Sequence, residues 1–188
     1  MSRDWLSPVW NPGFCSGQGG FVGHEVKESF VKPEYVWFDG TSYVYNIGET
    51  IEADGDTFTY NAATIGNPHC VIPLDNISKE LACRIGPHIE NHPNFPQRIN
   101  MQLLKVLDRN TIKIEIWERG AGYTLASGSS SSAAAAVAHK LGHVDRDILV
   151  KMPGGEIEIS IKDDFQVHMT GPATRVATMV LDDNFLKG

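Results

Sequence analysis

Apolar positions along the chain repeat with two distinct periods. Ile112, Ile114 and Ile116 alternate with Lys113 and Glu115. Successive side chains of a strand point to opposite faces, so Thr111–Trp117 is predicted as a strand with one buried and one wet face. Leu81, Ile85 and Ile89 recur instead at four-residue spacing. That stripe predicts a helix from Ser78 to about Asn91, with Asn76 or Ser78 as its cap and His92-Pro93 as its stop. Further apolar runs predict strands at Phe58–Thr64, Cys70–Leu74, Met101–Val106, Ile148–Met152, Glu156–Ile161, Gln166–Thr170 and Arg175–Leu181. Pro153-Gly154-Gly155 and Lys162-Asp163-Asp164 supply turns between the later ones. Upstream, Met1 to about Asp56 is rich in Gly, Pro and aromatics. There Asp39-Gly40, between Tyr35–Phe38 and Thr41–Asn46, has the residues of a tight type I′ hairpin turn. The pattern divides the chain into residues 1–56, a hairpin region, and residues 57–188, a domain. The element order implies an α+β fold with many antiparallel strands and two main helices.

The second helix, about Ser130 to Leu141 and closed by Gly142, has a different pattern. Ala133, Ala134, Ala135, Ala136 and Ala138 make it small on all sides, with little charge before His139 and Lys140. A surface helix would carry a charged face. Strands can approach a helix of small side chains closely, so it is expected to be central and wrapped by strands. The alternative is an exposed alanine helix held by propensity alone.

Composition narrows the function classes. Sixteen Lys and Arg against 23 Asp and Glu give a formal charge of −7, which offers no basic footprint for nucleic acid. No apolar run reaches the roughly 20 residues of a membrane-spanning helix, and Met1 to Gly20 does not read as a signal peptide. Cys15, Cys70 and Cys83 are odd in number and irregular in spacing. They are expected to be small buried hydrophobes in a reducing cytoplasm.

Three stretches could carry chemistry. Trp117-Glu118-Arg119-Gly120-Ala121-Gly122 leaves a strand, and Ala126-Ser127-Gly128-Ser129-Ser130 enters a helix. A helix N-terminus presents unpaired N–H groups and positive potential, which suits a carboxylate or phosphate. Ser127, Ser129 and Ser130 are also candidate caps. Glu118 and Arg119 offer proton transfer and charge binding, or a structural ion pair. In Gly66-Asn67-Pro68-His69-Cys70, Asn67 is held extended before proline and His69 can titrate near neutral pH; a satisfied structural histidine is the alternative. His88 and His92 lie four apart on a helix, but no third metal ligand is in an obvious place, and no metal is expected.

These stretches together resemble the diaminopimelate epimerase family. The matching segments are Gly66-Asn67-Pro68-His69-Cys70-Val71, Gly86-Pro87 through His92-Pro93 to Arg98-Ile99-Asn100, Trp117 to Gly122, Pro153-Gly154-Gly155-Glu156 and Met169-Thr170-Gly171-Pro172-Ala173. The resemblance implies a strand barrel around a central helix, forming the C-terminal half of a two-domain enzyme. Residues 1–56 would then hold the end of the N-terminal domain and its connecting hairpin. It further implies cofactor-independent interconversion of LL- and meso-diaminopimelate by two cysteines. By the same resemblance Asn67, Asn100 and Arg119 would bind the distal amino and carboxylate groups. Gly128 and Ser129 would hold the reacting carboxylate, and His69 and Glu118 would tune the base. Ser127 departs from the pattern, standing where the family has a catalytic cysteine, and an alcohol is several units less acidic than a thiol. The other cysteine belongs to a domain that this sequence does not contain, so the chain alone is expected to be inactive. A related isomerase for another small carboxylic acid, or a non-catalytic remnant, are the other readings. An apolar aromatic surface around Trp5, Trp10 and Phe14 would favour self-association, which admits a homodimer.

Overall fold

The computed structural model describes residues 20–25, 47–162 and 166–172, with only the backbone given at 20–25 and 166. The expected Asp39-Gly40 hairpin, the Arg175–Leu181 strand, the Asp163-Asp164 part of the last turn, and Trp5, Trp10, Phe14 and Cys15 lie outside these residues.

Among the described residues, ten strands and two helices follow in the order β1 (Gly20–Glu25), β2 (Ile47–Ala53), β3 (Asp56–Thr64), β4 (Pro68–Pro73), α1 (Lys79–Glu90), β5 (Asn100–Asp108), β6 (Thr111–Glu118), β7 (Gly122–Thr124), α2 (Gly128–Lys140), β8 (Asp147–Met152), β9 (Gly155–Ile161) and β10 (Gln166–Thr170). All strands join one sheet, ordered β1-β10-β9-β8-β6-β5-β4-β3-β2, with β7 paired to β6 off this path. The pairings are antiparallel except β4/β5 and β6/β8. The α+β fold is therefore as expected. Strand β2 was not foreseen. It pairs with β3 across Asp54 and Gly55, both at positive φ (50° and 81°), a conformation that suits a tight hairpin turn. The 56/57 boundary falls within this hairpin.

The two parallel pairs place the helices. Each is bridged by a helix, and each crossover steps the same way along the sheet. β6 runs antiparallel to β5, so the two crossovers start from strands of opposite direction. Right-handed crossovers then put α1 and α2 on opposite faces. The two cores agree with this. Cys70, Ile72, Met101 and Leu103 pack with Ala82, Ile85 and Ile89 of α1. Val71, Leu104, Ile112, Ile114, Ile116 and Val150 pack with the alanines of α2.

Helix α1 is capped by Ser78, whose Oγ accepts from the Leu81 N–H at 3.1 Å, and it carries Pro87 within its last turn. Helix α2 touches β3, β4, β5, β6, β8, β9 and β10, and Ser130 to Ala138 are all buried. The central, strand-wrapped helix is thus found. It begins two residues before the expected Ser130, at Gly128, because Ser127 takes the cap. The edge strands β1 and β2 are not paired with each other, so among the described residues the wrap is open.

One expectation about β6 needs correction. Its second face is not wet at Glu115, which is 5% exposed. Strand β7 pairs alongside the end of β6, the Tyr123 hydroxyl donates to Glu115 Oε2 at 2.6 Å, and Lys113 Nζ lies 3.7 Å from Glu115 Oε1.

Candidate active site

The start of β4, the start of β5, the end of β6 and the start of α2 gather at one end of the sheet. Register explains this. His69 lies opposite Asn100, and Met101 lies opposite Trp117, one residue before Glu118. Register therefore brings the matched residues of β4, β5 and β6 together, and Gln102 Nε2, 3.0 Å from Ser130 Oγ, ties the start of α2 to them, although the set runs over 62 positions of sequence (67 to 129).

Asn100 is the joint between the elements. It is 6% exposed. Its Nδ2 donates to the Pro68 carbonyl at 2.9 Å, and its Oδ1 accepts from the Arg119 backbone N–H at 2.9 Å. The Arg119 guanidinium itself is exposed and donates to the Gln97 carbonyl at 2.9 Å. Glu118 is half-buried at the strand end, where its carbonyl accepts from the Ala121 N–H at 3.0 Å.

Asn67 is half-buried, and its Oδ1 lies 3.1 Å from His69 Nε2. His69 is fully buried. Burial pulls its pKa down to about 3; the Gln102 side chain opposes that pull, and the positive charge of Arg119 adds to it. The expected titration near neutral pH therefore does not occur at His69, because a charged ring there would lose its hydration. The ring is a neutral group in this site.

Ser127 caps α2. Its Oγ accepts from the Ser130 N–H at 3.4 Å and lies 3.3 Å from Ser129 Oγ. Its own N–H approaches Met152 Sδ at 3.5 Å. A Cβ at Gly128 would lie 2.8 Å from Met169 Sδ, so glycine lets β10 close against the helix start. No acidic side chain occupies the first turn of α2, which leaves the positive end of its dipole uncompensated from within the turn.

The residue that sequence reading missed is Glu90. It is 6% exposed. Its carboxylate accepts from Trp117 Nε1 at 2.8 Å, Arg98 Nη1 at 2.9 Å and the Gly120 N–H at 2.9 Å. Trp117 and Gly120 stand on either side of Glu118-Arg119, so Glu90 anchors the turn that carries them. Its position next to Ile89, within a polar helix end, gave little signal. Arg98 reaches it from a left-handed backbone, φ 60°. His88 and His92 form no metal pair here: His88 Nε2 sits 3.8 Å from Asp54 Oδ1, and His92 Nδ1 accepts from the Asn94 N–H at 3.2 Å. Among the described residues no group of three His, Cys, Asp or Glu could hold a metal. Cys70 is buried, which pushes its thiol pKa upward, while Cys83 is half-buried.

No described helix is long and apolar enough to cross a membrane. A family model described as diaminopimelate epimerase matches residues 61–176. Diaminopimelate epimerase 2 of a Nostoc species is 65% identical over 131 residues, 70% of this chain and 46% of that protein. The diaminopimelate epimerase of Stutzerimonas stutzeri is 42% identical over 128 residues, 68% of this chain and 46% of that protein. That of Acetivibrio thermocellus is 36% identical over 171 residues, 90% of this chain and 61% of that protein. The chain thus spans about half the length of the curated relatives it matches. Among solved structures, a probable proline racemase from Agrobacterium radiobacter with bound carbonate aligns with a TM-score of 0.51 at 14% identity, over 72% of this chain and 50% of that one. A hydroxyproline epimerase from Agrobacterium vitis with bound trans-4-hydroxy-L-proline aligns with a TM-score of 0.50 at 12% identity, over 66% and 45%. These two likenesses speak to the fold alone. A family match over residues 61–176 and the motifs gathered at one end of the sheet lead to one statement: the chain belongs to the diaminopimelate epimerase family.

Proposed function

We propose that this chain supplies one wall of an active site for cofactor-independent epimerisation at an amino-acid α-carbon, LL- to meso-diaminopimelate, in lysine and cell-wall precursor synthesis. The observation that carries this reading is the convergence of Asn67, His69, Asn100, Glu118, Arg119 and the α2 start at one sheet end. In this reading Asn67, Asn100 and Arg119 bind the distal amino and carboxylate groups of the substrate. Gly128 and Ser129 receive the reacting carboxylate on free N–H groups at the positive end of α2. The same N–H groups also stabilise the negative charge that spreads onto the carboxylate oxygens as the α-proton leaves. Glu118 and neutral His69 shape the surroundings of residue 127. Residues 57–188 form the C-terminal domain, residues 1–56 hold the end of a preceding one, and the protein works in the cytoplasm, with a homodimer as a candidate assembly.

Ser127 limits the reading. A thiol titrates near pH 8.5 and can be tuned down, whereas an alcohol at neutral pH cannot serve as a comparable proton carrier. The chain alone is therefore expected to show no epimerase turnover. The test replaces Ser127 with cysteine (Ser127→Cys) and supplies a complementary N-terminal domain carrying the second cysteine. Exchange of the diaminopimelate α-proton in deuterated buffer is the expected result. Absence of exchange, with retained binding of a different acid, would overturn the substrate assignment. A second reading, a related isomerase for another small carboxylic acid, is favoured by Ser127 and the hydroxyl run Ser129–Ser132.

A further inference from the structure

The end of β8 and the Pro153-Gly154-Gly155 turn after it grip the segment that carries Ser127. Along β8 the buried positions alternate as Ile148, Val150 and Met152 and pack with the α2 alanines. The last of them stands beside the first turn of α2. Met152 Sδ accepts from the Ser127 N–H at 3.5 Å and lies 3.1 Å from Ser131 Oγ. Two residues on, the Gly154 N–H donates to the Leu125 carbonyl at 2.7 Å. A Cβ at Gly154 would lie 2.9 Å from that carbonyl oxygen and 3.1 Å from Ala126 Cβ, so glycine is what lets the turn come this close.

Ser127 is held at both of its backbone groups. Its carbonyl accepts from the Ser131 N–H at 3.0 Å and lies 2.8 Å from Ser131 Oγ, and its N–H ends on the thioether. Sulfur is a weak acceptor, but Met152 is buried, and an N–H left there without an acceptor would lose its hydration uncompensated. The first N–H groups of a helix have no partner within it. Here the Ser130 N–H is taken by Ser127 Oγ. Of the amides from 127 to 131, those of Gly128 and Ser129 are left without an acceptor among the described residues.

We propose that Met152 is a positioning residue for position 127: its sulfur holds that residue's N–H away from the open amides of Gly128 and Ser129, and with Gly154 it fixes the backbone from which the 127 side chain leaves. An unbranched thioether suits this place, because it fills the core and still offers an acceptor at its far end. The contact leaves two amides, not three, for an acceptor ligand. That this ligand is the reacting carboxylate rests on the epimerase reading; the grip on Ser127 does not.

The test is amide hydrogen exchange, read by proton–nitrogen NMR on the full isotope-labelled chain. Without ligand, the Ser127 amide is expected to be protected; exchange as fast as in an unstructured peptide would overturn the proposal with no variant made. Met152→Leu nearly conserves volume but removes the acceptor. It should speed exchange at Ser127 roughly three- to tenfold, the order of one lost hydrogen bond, while mid-helix amides such as Ala135 keep their rates. An unchanged Ser127 rate in the folded variant, or an equal rise at Ala135, would also overturn it. Acetate then serves as a plain carboxylate probe: exchange should slow at Gly128 and Ser129 and stay as it was at Ser127. Slowing at all three would overturn the assignment of the Ser127 N–H to sulfur. A protected Ser127 amide with no acetate response anywhere would support the sulfur contact and count against the carboxylate reading alone.

Discussion

Helices α1 and α2 arise from the same kind of crossover yet solve opposite packing problems. Helix α1 covers the outer face of the sheet. It presents Ala82, Ile85 and Ile89 inward and leaves Arg84 and His88 in solvent. Helix α2 lies on the curled face, and nine consecutive residues, from Ser130 to Ala138, are buried. A half-covered helix needs one apolar stripe. A helix surrounded by strands needs a narrow body, because interiors pack to crystal-like density and leave no room for long side chains. The comparison teaches that size, more than apolarity, suits a segment for the inside of a wrapped sheet.

The two sides should respond oppositely to side-chain volume. On α1, Ile85→Ala removes buried methyl groups and should cost about 2–5 kcal/mol. On α2, the reverse change, Ala134→Leu, should cost about 1–3 kcal/mol through overpacking. Both are read by urea denaturation, and an Ala134→Leu protein as stable as its parent would break the contrast.

The polar groups differ as well. The α1 side buries the Glu90 carboxylate, the α2 side the neutral His69. The folded pKa of His69 lies below its ordinary value of 6.5, so the unfolded chain binds the extra proton. Stability from this group is complete above about pH 6.5 and falls as pH drops toward about 3, by up to roughly 1.4 kcal/mol per pH unit. His69→Gln should flatten that decline. Equal slopes in the two proteins, from urea midpoints between pH 7 and 5, would remove His69 as its source.

Glu90→Ala leaves the Trp117 and Gly120 N–H groups unpaired, with an expected loss of about 1–3 kcal/mol. Arg98 adds little to this, since it is half exposed and free to hydrate. The readouts are denaturation and Trp117 fluorescence, and an unchanged emission would argue that the β6–β7 turn holds itself in place. The smallest expected effect is at the α2 start: Ser127→Ala removes a cap worth about 1 kcal/mol. Ser127→Asp should retain that stability; a loss matching alanine would count against the cap.

Much of this architecture was legible in the sequence, for physical reasons. The Ile112–Ile116 alternation and the Leu81–Ile89 stripe each encode burial, so β6 and α1 emerge directly from them. The alanine run encodes the central helix through volume. Strand β2 escaped notice because it is an edge strand, buried only at Ile51 and Ala53, and exposed strands carry little pattern. The same Asp-Gly chemistry that marked residues 39–40 also sits at Asp54-Gly55, where the hairpin is found. The gathering of Asn67, Asn100, Glu118 and Arg119 was legible only through family resemblance. Glu90 and Gln102 were not legible at all: their parts depend on partners 8 to 30 residues away that only the fold brings near.

The pairing of β1 with β10 has a consequence for the order of assembly. These strands are 141 positions apart at their nearest ends (25 to 166), whereas β2/β3, β5/β6 and β8/β9 are hairpins with short turns. Closing a long loop costs little more at equilibrium than closing a moderate one, but contacts distant in sequence are slow to form. The hairpins are therefore expected to assemble first and β1 to dock late. Until it does, β10 offers a row of unpaired N–H and C=O groups at the sheet edge, the kind of edge that invites pairing with another chain.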